Sequence, residues 1–211
     1  MKKLHIFAAL TIGSFEVSMS IYEVGPSDDM RLLNKVKQKV ELGKDTLRLK
    51  KLSIEKTKRL IQELLKLKAM TEEYQVEEVL VYGATALREA KNQYFVLEQI
   101  KKETGWDVKV VNNPQQSFLI YKGVVSSPKF EEIAKDGAAL LDASAGKLRV
   151  SIYHRGDLVL TQNVSLGSMQ IREWMKRTGY SKKGQSGLIR EMITYRFKEL
   201  DAQFLENKKI Q

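Results

Sequence analysis

One arrangement occurs twice along this chain and limits its fold more than any other feature. Two short apolar runs are joined by a small-residue turn, and a third run and a helix follow. In the first copy Leu4 to Thr11 reads as a buried strand and Ile12-Gly13-Ser14 as the turn. In the next run Val17, Met19 and Ile21 alternate with Ser18, Ser20 and Tyr22, which makes Val17 to Val24 the second strand. Gly25 to Asp29 is a turn, and alternation resumes over Arg31 to Leu42. Ser53 has the chemistry of an N-cap for an amphipathic helix reaching Met70. Val79 to Tyr82 is a strand, Asn92 caps a helix ending near Gly105, Trp106 to Val111 is a strand, and Pro114 starts a helix where proline is tolerated. The second copy begins after Ser126-Ser127-Pro128, read as a linker. It runs through strands at Ala138 to Leu141, Leu148 to Tyr153 and Leu158 to Val164, with a hairpin at Arg155-Gly156-Asp157. Helical stretches follow at Gly167 to Arg177 and Ser186 to Phe204. The reading is an α/β protein with domains at 1–125 and 126–211, the second partial or truncated.

Composition narrows the chemistry. The 211 residues hold no cysteine, which removes disulfides, thiolate metal sites and cysteine nucleophiles. The two histidines, His5 and His154, are too far apart in sequence to suggest a histidine-rich metal site. His154, Trp106 and Trp174 read as surface and packing residues. The basic start Met1-Lys2-Lys3 runs into alternation rather than a cleavage site, and no apolar run is long enough to span a bilayer. A soluble cytoplasmic protein without membrane contact is expected. Residues 31–68 carry thirteen Lys or Arg against four Asp or Glu, most of the net charge of +10. Such a run is ordinarily a solvated face, but it also offers a field to a polyanion. Nucleic acid would feel that field, yet no aromatic interleaving or reading motif accompanies it.

Each copy carries a small-residue loop, Thr11-Ile12-Gly13-Ser14 and Asp142-Ala143-Ser144-Ala145-Gly146. Paired loops facing one cleft would present backbone N–H groups to phosphate oxygens. Between them stands Gly83-Ala84-Thr85-Ala86-Leu87-Arg88-Glu89-Ala90-Lys91-Asn92. It closely resembles the "A-T-S-A-L-R-E-A-x-N" signature of the exopolyphosphatase / guanosine pentaphosphate phosphatase family. Lys37 to Gly43 resembles that family's basic third strand, Leu119 to Val124 its "R-L-I-Y-x-G-V" helix, Leu140-Leu141-Asp142 the start of its second phosphate loop, and Ser165-Leu166-Gly167 its turn into a helix. The resemblance spans essentially the whole chain in order. It implies the two-domain, actin-like ATPase (ribonuclease H-like) fold and Mg²⁺-dependent cleavage of terminal phosphoanhydride bonds of polyphosphate or pppGpp between the domains.

Carried over residue by residue, the resemblance assigns phosphate binding to Gly13, Ser14, Arg88, Ser144 and Gly146, and Mg²⁺ to Asp142, since that ion takes oxygen ligands. The position of the catalytic glutamate is Gln116, an amide that can orient water but cannot accept its proton at neutral pH. By default Gln115 and Gln116 read as solvated helix-start residues. Phe15-Glu16 replaces two small polar residues of the first loop, and Ser144-Ala145-Gly146 replaces three glycines, so only Gly146 readily takes positive φ there. Lys147 or Arg149 could compensate by charge. The expectation is a protein that binds polyphosphate or guanosine penta- or tetraphosphate with little or no turnover. The alternatives are a hydrolase using a substitute base such as Glu16, a non-catalytic regulatory or interaction module of the same fold, and a basic nucleic-acid-binding protein. A homodimer stays open. The chain's end at Lys208 to Gln211 reads as a cut just before a strand.

Overall fold

The computed structural model describes residues 4–26, 29–126, 130, 137–154, 157–178 and 182–200. The Arg155-Gly156 turn, Ser127-Pro128, the stretch 201–204 and the Lys208 to Gln211 end lie outside the described residues. The chain divides into two compact units, Met1–Ser127 and Pro128–Gln211.

The first unit opens as the alternation dictates. β1 (His5–Ile12) and β2 (Glu16–Val24) form an antiparallel hairpin, and β3 (Met30–Lys39) continues the meander. Their register sets Ala8 opposite Ile21, Leu10 opposite Met19, and Ile12 opposite Val17. All six side chains are therefore on one face, and each is at most 1% exposed. The other elements are α1 (Leu42–Leu49), α2 (Ile54–Glu73), β4 (Glu78–Gly83), α3 (Thr85–Arg88), α4 (Gln93–Thr104), β5 (Val108–Val110) and α5 (Asn113–Val125). The sheet order is β3-β2-β1-β4-β5, with β4 parallel to β1 and β5 parallel to β4. Leu60, Leu64 and Leu67 of α2 and Val96 and Ile100 of α4 join the apolar sheet residues in one core. Burying each such leucine contributes about 1.5–3 kcal/mol. Trp106 packs at the margin of that core.

Two local expectations are corrected. The alternation predicts a third strand reaching Leu42, but the strand ends at Lys39, because Glu41 adopts φ 52 and turns the chain into α1. Val40 and Glu41 instead donate their backbone N–H groups to Phe15 O, and Gly43 donates to Ser14 O. Asn92 stands at the N-cap of α4 yet makes no capping bond there. Its side chain accepts from Leu52 N at 2.9 Å and donates to Leu52 O at 2.8 Å. Ser53 caps α2 as expected, accepting from Lys56 N.

In the second unit β6 (Ala138–Ala143), β7 (Leu148–His154) and β8 (Asp157–Val164) form an antiparallel sheet in chain order. They are followed by α6 (Ser168–Thr178) and α7 (Lys182–Leu200). Val150, Val164 and Leu166 are the buried centre, packed by Leu148, Ile152, Ile171, Met192 and Phe197. His154 was expected at the surface; it is half-buried, with Nδ1 shielded from solvent.

The two copies share more than element order. Gly13 N donates to Glu16 O at 2.9 Å, and Ser144 N donates to Lys147 O at 2.9 Å. The tip carbonyls also receive bonds from the segment after the third strand. Gly43 N reaches Ser14 O in the first unit; Ser168 N and Met169 N reach Ser144 O and Ala145 O in the second. The structural counterpart of Gly13 is thus Ser144, and Gly146 corresponds to Phe15.

Candidate functional site

In the first unit the site elements follow the C-terminal ends of the parallel strands, where open α/β sheets usually hold ligands. The Gly13 turn follows β1, the α3 turn follows β4, and α5 follows β5. They are tied together by Ala84 N donating to Ile12 O and Val111 N donating to Gly83 O, each at 3.0 Å. A Cβ at Gly13 would meet Glu16 O at 2.9 Å, so only glycine fits this tight tip without backbone movement. Ser14 is half-buried beside it.

Arg88 closes the single turn of α3. Its Nη1 donates to Val111 O at 2.6 Å and to Gln116 Oε1 at 3.3 Å, and its Nη2 donates to Thr85 Oγ1 at 2.9 Å. Arg88 and Gln116, 28 residues apart in sequence, are thereby brought together. The start of α5 is fixed by a capping box: Asn112 accepts from Gln115 N, and the Gln115 side chain accepts from Asn112 N. Gln115 is an exposed helix-start residue, as the default reading has it, whereas Gln116 is not. Gln115 holds the helix end, and half-buried Gln116 is held by the arginine. Glu16, the substitute base considered from sequence, has its Oε1 2.7 Å from Lys37 Nζ on the adjacent strand. That pairing keeps its carboxylate engaged on the sheet. Glu41, next to the tip carbonyls, is held below the usual carboxylate range by its hydrogen bond from Lys44, with burial opposing and the Lys39 charge assisting.

In the second unit the Ser144–Lys147 tip is drawn closed by Ser144 Oγ, which donates to Lys147 O at 2.8 Å and accepts from Lys147 N at 3.2 Å. Positive φ is absent at Ser144, Ala145 and Gly146, so the tip has no need of the replaced glycines' conformational range. The glycine that matters is Gly167. A Cβ there would run into backbone atoms of Ala145, Gly146 and Lys147, so its absence lets α6 abut the tip.

Asp142 is directly opposite Arg149 in the β6–β7 register. Arg149 Nη1 lies 3.3 Å from Asp142 Oδ2, and Arg149 Nε donates to Asn163 Oδ1 at 3.2 Å. The carboxylate proposed as a Mg²⁺ ligand is thus already paired with a cation. Among the described residues, no three His, Asp or Glu side chains lie together as a ligand set. The Arg149 cation beside Asp142 makes this position a poor fit for a divalent ion.

Sequence reasoning missed three participants: Thr85, which the i,i+3 spacing to Arg88 could have suggested; the Val111 carbonyl; and Gly167, whose role depends on contact with a distant tip. Among the described residues no helix is long and apolar enough to cross a membrane.

These features define an α/β protein of the actin-like fold, with its candidate site at the strand ends. The chain belongs to the Ppx/GppA phosphatase family, whose profile matches residues 20–207. It is 23% identical over 172 residues to the bifunctional 3-dehydroquinate synthase/phosphatase of Fusobacterium nucleatum, covering 79% of this chain and 26% of that protein. The fold is similar to an exopolyphosphatase from Cytophaga hutchinsonii, with TM-score 0.72 and 21% identity over 80% of this chain and 53% of that one. It is also similar to the Aquifex aeolicus Ppx/GppA family member, with TM-score 0.67 and 23% identity over 81% and 54%. The chain thus spans about half the length of these solved relatives.

Proposed function

We propose that this protein binds the phosphate chain of inorganic polyphosphate, or the phosphate end of guanosine penta- or tetraphosphate, and hydrolyses it slowly or not at all. The observation that carries the reading is the 3.3 Å contact between Arg88 Nη1 and Gln116 Oε1. The family signature supplies the arginine, whose planar guanidinium suits phosphate oxygens. The family's base position, held against that arginine, carries an amide. An amide oxygen can accept a hydrogen bond and so orient water, but it takes no proton at neutral pH. Loss of a positioned general base typically lowers the rate by about 10²–10⁴-fold. Within the first unit the Gly13-Ser14 tip is the proposed backbone contact; the Ser144–Gly146 tip is the equivalent candidate within the second.

The basic band over residues 31–68 supports the polyanion class without selecting within it. Binding of labelled polyphosphate at two salt concentrations tests the reading. A defined site gives saturable binding that survives the higher salt and is weakened in Arg88→Met. If binding vanishes at the higher salt, is matched by single-stranded DNA and ignores Arg88→Met, the site reading is wrong and diffuse attraction explains the binding.

A further inference from the structure

The ion pair in the second unit carries an inference that rests on the binding reading and fixes its cofactor requirement. Arg149 is 2% exposed, and acceptors on both flanking strands hold it: Asp142 on β6 through Nη1 and Asn163 on β8 through Nε. Both are its in-register partners, so the guanidinium lies along one rung of the sheet. Its Nη2 is shielded from solvent and has no hydrogen-bond partner. Buried donors are nearly always paired. This one lies two residues from the Ser144–Lys147 tip, where an incoming phosphate oxygen would supply an acceptor once the tip adjusts.

A divalent ion on Asp142 would lie within a few ångströms of this fixed positive charge. Arginine cannot give up its proton to make room, as a lysine might. We infer that the Arg149 guanidinium occupies the place of the divalent ion beside Asp142, so that phosphate binding by this chain is independent of Mg²⁺. The guanidinium neutralises Asp142, which a metal would otherwise do, and it adds a donor for the oxyanion.

The test uses the whole chain. Polyphosphate binding is measured in EDTA and in Mg²⁺, for wild type and Asp142→Asn; the second protein controls for Mg²⁺ chelated by the polyphosphate itself. In parallel, ligand-free protein is titrated with Mn²⁺ and followed by electron paramagnetic resonance. The expected result is that wild type binds in EDTA, that Mg²⁺ affects both proteins alike, and that neither takes up Mn²⁺ in the ligand-free titration. Arg149→Met removes the donor and frees the carboxylate, so it should weaken polyphosphate binding in EDTA and make the remaining binding respond to Mg²⁺. Binding by wild type that is lost in EDTA and restored by Mg²⁺ overturns the inference and leaves the binding reading standing. An absence of polyphosphate binding in every condition refutes the binding reading. The Mn²⁺ titration then decides the inference alone, and a wild-type Mn²⁺ site that disappears in Asp142→Asn sinks it. The wild-type and Asp142→Asn arms do not depend on Arg149→Met folding.

Discussion

Asn92 gives the sharpest stability prediction, because two roles for the same side chain predict different responses to one substitution. In the structure its amide bridges Leu52 N and Leu52 O at 2.9 and 2.8 Å, locking the loop between α1 and α2 against the start of α4. Leu52 is itself 2% exposed, so the loop's position decides whether a core residue stays buried. Asn92→Ala removes both bonds. At about 1 kcal/mol for each partly buried bond, the loss is about 2 kcal/mol. Asn92→Asp keeps an acceptor for Leu52 N but sets a carboxylate oxygen against the Leu52 carbonyl, so it should cost at least as much. An N-cap responds differently: aspartate caps about as well as asparagine, and alanine costs about 1 kcal/mol. Urea unfolding followed by Trp106 fluorescence, in a Trp174→Phe background, reads the first unit. With a urea slope of about 2 kcal/mol/M, both substitutions should lower the midpoint by about 1 M. An Asn92→Asp protein as stable as wild type would refute the bridge and restore the capping role.

Three further outcomes follow from the site's neighbours. Gly13→Ala drives a Cβ against Glu16 O at 2.9 Å, and unfolding should show a loss of about 1–3 kcal/mol; an unchanged midpoint contradicts the tight tip. Gly167→Ala should part α6 from its hairpin and speed hydrogen exchange at Ser168 and Met169, whose N–H groups now bond Ser144 O and Ala145 O. Glu41 has a lowered pKa in the folded state, so it contributes stability above its unfolded value near 4.5, and that contribution is lost as pH falls through the lowered folded value. Glu41→Gln should therefore destabilise at neutral pH and converge with wild type in acid; a gap that widens in acid has the wrong sign.

Much of the fold was legible because one physical pattern repeated cleanly. Alternation at Val17, Met19 and Ile21 fixed the second strand and its buried face, and Ser53 marked the start of α2. The reading failed where a local signal had two physical meanings. Leu42 continued the apolar rhythm of a strand, but the left-handed backbone at Glu41 started a helix instead. Asn92 had a cap's chemistry and position, but its partner was 40 residues earlier in the chain. The site was legible only where the family signature reached it. That Arg88 meets Gln116 follows from β4 and β5 lying side by side, and that Arg149 faces Asp142 follows from a cross-strand register. Neither relation is encoded in local spacing.

The most direct measurement is phosphate release from polyphosphate by wild type and Gln116→Glu under conditions where both bind it. The account predicts bound but essentially unhydrolysed polyphosphate for wild type, and release rising by about 10²–10⁴-fold when the carboxylate is restored beside Arg88. Rapid release by wild type that Gln116→Glu fails to increase would contradict it.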